Sequence, residues 1–194
     1  KFDSDEALAT RARPRVVKLQ GGDEETLGLW TTLVGYSREY FNRIFSLLDV
    51  TLTDADLAGE STYNDMLAEV CDELEAKGLA TISDGALCVF PEGFTGREGE
   101  PLPLIIRKSD GGYGYATTDL AAVRNRAINL GVNRALYVVG TPQAMHFEMV
   151  FTVARAAGWL PETFSPEHVK IGNVLGSDGK ILRTRSGAPL RLAE

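Results

Sequence analysis

Apolar residues in the first half of the chain recur at helical spacing. Trp30, Leu33, Val34, Phe41, Ile44, Phe45 and Leu48 follow at separations of three, four and seven, which predicts a buried stripe on a helix ending near Leu48. Asp23 stands just ahead of Glu24 and Glu25, the pattern of an N-cap followed by acids at the positive end of a helix dipole. Gly21-Gly22 separates this helix from an earlier one over residues 5–20, capped by Ser4 and made irregular by Pro14. A polar connector follows over residues 51–60, then a helix over 64–77 that closes at Gly78. Ala80-Thr81-Ile82 and Ala86-Leu87-Cys88-Val89-Phe90 flank a Ser83-Asp84-Gly85 turn, so a small hairpin is expected there.

A loop rich in Gly and Pro, residues 91–103, marks the best boundary in the chain, and beyond it the pattern changes. Short apolar runs at Leu104-Ile105-Ile106, Ala135-Leu136-Tyr137-Val138-Val139 and Val169-Lys170-Ile171 alternate with helical segments over 118–130 and 143–157, closed by Gly131 and Gly158. Strands that alternate with helices build an α/β parallel sheet, whose ligands sit at the carboxyl ends of the strands. The expected division is a mainly helical region with a small hairpin over 1–103 and an α/β region over 104–194. No internal repeat is visible.

Composition narrows the function classes. At 194 residues, 44% apolar and 24% charged, the chain is that of a globular protein with a sizeable core. A net charge of −7 argues against a surface devoted to nucleic acid. The charge is uneven, however. Residues 49–75 are acid-rich, whereas residues 180–191 hold Lys180, Arg183, Arg185 and Arg191 and no acid, a local patch suited to phosphates. No run approaches the length of a membrane span, and the first residues do not read as a secretory leader. Cys71 and Cys88 lack metal spacing and suit packing roles in a reducing compartment, so the cytoplasm is expected.

Three segments carry candidate chemistry. The run from Ser109 to Leu120 is a turn rich in Gly and Tyr that opens into a helix. Glycine at Gly111, Gly112 or Gly114 permits a positive φ or a close approach to a ligand. Tyr115 and Asp119 are four apart and share one helix face, and a carboxylate beside a phenol suits a guanidinium. Thr117, Thr118 and Asp119 also have N-cap chemistry, and from spacing alone the cap is the simpler role. Gln143 and His146 open the helix after the strand 135–139, at the ligand-facing edge of the sheet. Gln143 offers an amide to a polar ligand and His146 a ring to a phosphate or adenine, although an isolated histidine there is more often structural. The loop Gly179 to Gly187 presents Arg183, Thr184, Arg185 and Ser186, donors that stabilise charge on a transferring phosphate. Its alternative is a solvated surface loop. Glu60-Ser61-Thr62-Tyr63 reads equally well as a capping segment. Neither GxxxxGK[ST], GxGxxG after a strand nor GxSxG occurs, and His146 and His168 are too far apart for a local zinc motif.

Taken in order, Gly59-Glu60-Ser61-Thr62-Tyr63-Asn64, the run from Arg107 to Ala122, Gln143-Ala144-Met145-His146, Gly172-Asn173-Val174-Leu175-Gly176 and Thr184-Arg185-Ser186-Gly187 resemble the bacterial arginyl-tRNA synthetases of class I. The resemblance covers nearly the whole chain. It implies that Tyr115 and Asp119 contact the arginine, with Asp119 facing the guanidinium, and that Gln143 is a further substrate contact. It puts His146 and Val174 on the nucleotide side, near the adenylate. Leu182 to Ser186 falls where the family carries its KMSKS loop. The lysines are missing here, so Arg185 stands for the second of them, and Thr184, Arg185 and Ser186 are the implied catalytic group. The implied partners are arginine, ATP with Mg2+, and tRNA(Arg), with no membrane. Neither histidine sits in the family's HxGH context. The chain therefore resembles a central piece, the connective insertion plus the second half of the Rossmann-like catalytic fold, and in isolation is expected to be inactive. A non-catalytic module that binds arginine or a protein partner is the alternative. Half of such a sheet leaves an apolar face bare.

Overall fold

The structure, a computed structural model, describes residues 6–172 together with Leu175. They fall into two compact units, one reaching Gly59 and the other beginning at Glu60.

The first unit is built on α1 (Glu6–Gln20) and α2 (Glu24–Leu47). Helix α1 runs through Pro14. Asp23 caps α2 as its position predicts: Oδ1 accepts the Thr26 backbone N–H at 3.0 Å and the Thr26 hydroxyl at 2.6 Å. Arg15 ties the helices together by donating to Thr26 Oγ1 at 2.8 Å and pairing with Glu25 at 3.2 Å. The expected buried stripe on α2 is not buried. Ile44 is covered, but Leu33, Phe41 and Leu48 are 65%, 45% and 58% exposed. The reason lies in the partner. A 15-residue helix rich in charge cannot cover a 24-residue apolar face. The connector folds in part, as a 3-10 turn over Asp54–Asp56 with Thr53 and Asp56 closing a capping box.

The second unit carries the site. A 3-10 segment, Glu60–Met66, leads into α3 (Leu67–Ala76). The hairpin of β1 (Ala80–Ser83) and β2 (Ala86–Val89) turns through Asp84 and Gly85, both at positive φ (49° and 78°), which is the primed turn such hairpins favour. The next strand, β3 (Leu104–Arg107), departs from expectation. It does not belong to a parallel sheet but pairs antiparallel with β2, giving the order β1-β2-β3. The loop before it holds no helix to carry a crossover, so the chain turns back on itself, and residues 91–103 lie inside the second unit. After β3 come α4 (Tyr115–Arg124), a π-helical turn Asn125–Asn129, β4 (Arg134–Gly140), a 3-10 turn Thr141–Gln143, α5 (Ala144–Ala156) and β5 (Ser165–Ile171). Strands β4 and β5 pair in parallel from Arg134↔Ser165 to Gly140↔Ile171, so β4-α5-β5 is the α/β crossover that the alternation predicts.

The core gathers where α3, α4 and α5 meet β1-β2-β3 and β4: Val70, Leu74, Ile106, Leu120, Val123 and Val150 are all fully enclosed. The apolar run at 135–139 forms a strand buried on one face only. Ala135 and Tyr137 face the core, while Leu136 and Val138 are 53% and 59% exposed on the opposite face. No helix of the described residues is long and apolar enough to cross a membrane.

Candidate functional site

The turn before α4 is built from its own sequence. The Lys108 N–H donates to the Gly112 carbonyl, the Gly111 N–H to the Lys108 carbonyl and the Gly112 N–H to Asp110 Oδ1, each at 2.9 Å. Gly111 takes φ +83°, which a residue with a Cβ rarely adopts. The helix then starts three residues earlier than its apolar pattern suggests, with extended Gly114 as N-cap and no side-chain cap. None of Thr117, Thr118 and Asp119 is therefore a cap. The hydroxyl of buried Thr117 donates to the Ile106 carbonyl of β3, and that of Thr118 to the Gly114 carbonyl at 3.4 Å. Asp119 is left one turn above Tyr115 on the same helix, its carboxylate part-exposed and Tyr115 standing largely in solvent.

The second element comes from the carboxyl end of β4. The 3-10 turn with Pro142 places Gln143, exposed and making no cap hydrogen bond, ahead of α5. One turn into α5, His146 Nε2 lies 2.7 Å from Asp119 Oδ2. Its ring is set edge-on against Phe147 at 5.3 Å. The structure thus joins two residues read separately in the sequence, and it gives His146 a carboxylate as partner. His168 is structural: its Nε2 meets the Val139 carbonyl at 2.9 Å.

Around this pair stand residues that spacing did not single out. Glu60 begins the 3-10 segment. Loss of water raises its carboxyl above the ordinary range, and the negative charge of Asp119 raises it further. Arg126, seven residues beyond Asp119, donates to the Tyr137 hydroxyl at 3.1 Å and to the Tyr63 hydroxyl at 3.4 Å. Its guanidinium lies 5.1 Å and 6.0 Å from the two ring centres. Burial pushes the Tyr137 phenol up; Arg126 opposes that shift and Asp119 adds to it. The Glu60-to-Tyr63 run looked like a helix cap; its chemical meaning comes from folding beside α4, and nothing local in the sequence signals that.

A cation bound near two like-charged carboxylates would relieve their repulsion. A planar cation with several N–H donors satisfies two acceptors at once, whereas a compact ammonium does so less well. The site is distinct from a cavity of about 190 Å3 lined by Met66, Glu69, Arg124, Ile128 and Asn129. There Arg124 is spent on Glu69 at 2.7 Å, Glu73 at 3.2 Å and the Trp159 ring at 5.7 Å. Among the described residues no three His, Cys, Asp or Glu side chains cluster as metal ligands. Val174, Thr184, Arg185 and Ser186 lie outside the described residues.

Comparison with known proteins supplies the family. Residues 1–194 match the family described as tRNA synthetases class I (R), catalytic domain. The chain is 70% identical over 192 residues to the arginine–tRNA ligase of Thermobifida fusca, covering 99% of this chain and 33% of that protein. It is 52% identical to the arginine–tRNA ligase of Streptomyces avermitilis, covering 100% of this chain and again 33% of that protein. The chain therefore spans about a third of the length of these relatives. In structure it is similar to the arginyl-tRNA synthetase of Plasmodium falciparum, with a TM-score of 0.72 and 33% identity over 87% of this chain and 29% of that one. The match along the full sequence and the likeness of the fold converge, and the chain belongs to the class I arginyl-tRNA synthetase family.

Proposed function

We propose that the protein carrying this chain activates arginine with ATP to arginyl-adenylate and transfers the arginyl group to tRNA(Arg), and that Asp119 selects the amino acid. The observation that carries this reading is the placement of Asp119: one carboxylate oxygen is taken by His146, and the group sits within the electrostatic reach of Glu60. Tyr115, one turn below, offers a ring to the flat cation, and Gln143 at the end of β4 offers an amide to a polar group of the substrate. The arginine carboxylate attacks the α-phosphorus of ATP in line; a C–O–P anhydride bond forms, the bond to the bridging oxygen breaks, and pyrophosphate leaves. No group on the protein becomes covalently attached. Catalysis rests on positioning and on stabilising phosphate charge.

Val174 is assigned to the nucleotide, and Thr184, Arg185 and Ser186 to the phosphates. Magnesium enters with ATP, held mostly by phosphate oxygens and water rather than by a protein cage. The reaction belongs to the cytoplasm, where tRNA is charged.

Amino-acid-dependent ATP–pyrophosphate exchange by the full-length protein tests the reading. Asp119→Asn keeps the shape but removes the charge, and an unpaired site around a guanidinium is costly. The arginine KM is expected to rise by about 10²-fold, with the ATP KM unchanged. An unaltered arginine KM removes Asp119 from the substrate site.

A further inference from the structure

The contact between His146 and Asp119 has no obvious need as a strut. Helices α4 and α5 are already joined through Leu120, Val123, Val150 and Val153, all fully enclosed. The His–Asp pair lies at the rim instead, its side chains 24% and 30% exposed, where ion pairs add little to stability. Its geometry is nevertheless specific. A carboxylate oxygen only accepts, so the N–H at Nε2 donates to Oδ2 across 2.7 Å. Among the described residues, no donor meets the other oxygen, Oδ1. On its other side the imidazole meets Phe147 in an edge-to-face contact at 5.3 Å, and Phe147 is buried and packs in turn on Tyr137 at 5.2 Å and His168 at 5.1 Å.

We propose that His146 is a positioning residue for amino-acid selection: by holding Oδ2 it fixes the plane of the Asp119 carboxylate and presents Oδ1 to a guanidinium. This rests on the arginine-selecting role of Asp119 given above. A free carboxylate rotates to suit any cation, including the compact ammonium of lysine. An acceptor held at a fixed position favours the directed N–H donors of a planar guanidinium over a compact ammonium. His146 thereby acts through Asp119 and does not itself touch the reacting atoms. The geometry contrasts with a nucleotide-facing role for this histidine, because its Nε2 is committed to the acid.

The test is steady-state exchange kinetics on the full-length protein with His146→Ala, His146→Asn and His146→Gln, each also in the Asp119→Asn background. Glutamine places an amide N–H near the position of Nε2, and asparagine falls short of it. Expected are an arginine KM raised about 10-fold by His146→Ala and His146→Asn, an ATP KM within twofold of the parent, and substantial recovery in His146→Gln. Inhibition by lysine should strengthen relative to arginine affinity in the two deletion variants. In the Asp119→Asn background, His146→Ala should add nothing to the arginine KM, because the group it positions is gone. A raised ATP KM with an unchanged arginine KM would overturn the proposal in favour of a nucleotide contact. Full additivity with Asp119→Asn overturns it too. If both deletion variants fail to fold while His146→Gln folds with a normal arginine KM, the contact is a strut and the proposal falls. If Asp119→Asn alone leaves arginine binding intact, the arginine-selecting reading fails as well; if Asp119→Asn weakens it and His146 variants do not, only the positioning role fails.

Discussion

Glu60 and Asp119 stand 59 residues apart in sequence, yet the fold brings the Glu60 carboxyl within reach of the Asp119 charge. Loss of water and the facing charge of Asp119 hold the Glu60 carboxyl above its ordinary range. In the free protein Glu60 therefore keeps its proton to a higher pH than an ordinary glutamate does. On the proposed function a guanidinium bound there favours the ionised form, so arginine binding is expected to expel that proton. Affinity for arginine is therefore expected to fall as pH drops into the window just above the ordinary carboxylate range. Calorimetry near pH 5, in buffers of different ionisation enthalpy, should record proton release on arginine binding by the full-length protein. Glu60→Gln should abolish the release and weaken binding by about 10-fold. Arginine binding that is independent of pH from about 4.5 to 7 would count against Glu60 as a second acceptor.

At the scale of elements, the position of the site depends on where α4 begins. The Gly111 turn and extended Gly114 bring the chain into the helix at Tyr115, and Thr117 then locks the first turn to β3 through the Ile106 carbonyl. Thr117 is fully enclosed, so its hydroxyl has no water to fall back on. Thr117→Val keeps the volume and leaves the buried Ile106 carbonyl with only the weak thiol donor of Cys71, 3.7 Å away, at a cost of about 1–3 kcal/mol. Thermal or denaturant unfolding of the variant should show that loss, accompanied by a rise in arginine KM as Asp119 shifts with the helix start. A variant as stable as the parent would mean that the α4–β3 junction does not depend on this bond. The π-helical turn Asn125–Asn129 ends the same element and carries Arg126. Such turns add a residue to the winding and often accompany functional sites.

For the second unit as a whole, Glu73 is the tie. Its carboxylate accepts from Trp159 Nε1 at 2.7 Å and pairs with Lys77 at 2.8 Å and Arg124 at 3.2 Å, so α3, α4 and the segment after α5 converge on it. Burial alone would raise its carboxyl, but Lys77, Trp159 and Arg124 outweigh burial and hold it below the ordinary value of 4.5. A depressed carboxyl contributes stability above its unfolded value and loses that contribution as pH falls through the folded one. Glu73→Gln should thus cost about 1–2 kcal/mol at neutral pH, allowing for partial exposure, and the gap to the parent should close in acid. Unfolding followed at pH 7 and at about pH 4 checks both halves, and a gap that widens in acid contradicts the assignment. Bare apolar faces are also a property of this scale. Leu136, Val138, Val169 and Ile171 line one exposed side of the β4–β5 pair, at 53%, 59%, 39% and 46% exposure, in a chain that spans about a third of its relatives.

Local chemistry alone determined the Asp23 cap, the Asp84-Gly85 hairpin, the need for a glycine among Gly111, Gly112 and Gly114, and the alternation that makes β4-α5-β5 a parallel crossover. Each depends on dihedral preference, capping or periodicity within a few residues. The same local signals misled where burial depends on a distant partner. The α2 stripe has helical spacing yet stays exposed, because α1 is too short and too charged to cover it. Strand β3 reads like a parallel strand, yet hydrogen-bonds to β2. The site divides the same way. Tyr115 and Asp119 are legible as a pair because one helix turn separates them. The bond from His146 to Asp119, the charge of Asp119 on Glu60 and the clasp of Arg126 by Tyr63 and Tyr137 join residues 27, 59 and 63 positions apart at most. Electrostatics and hydrogen bonding act over a few ångströms of space, and only the packing of α4 and its π-helical end among the 3-10 segment, β3 and α5 brings those groups within that range.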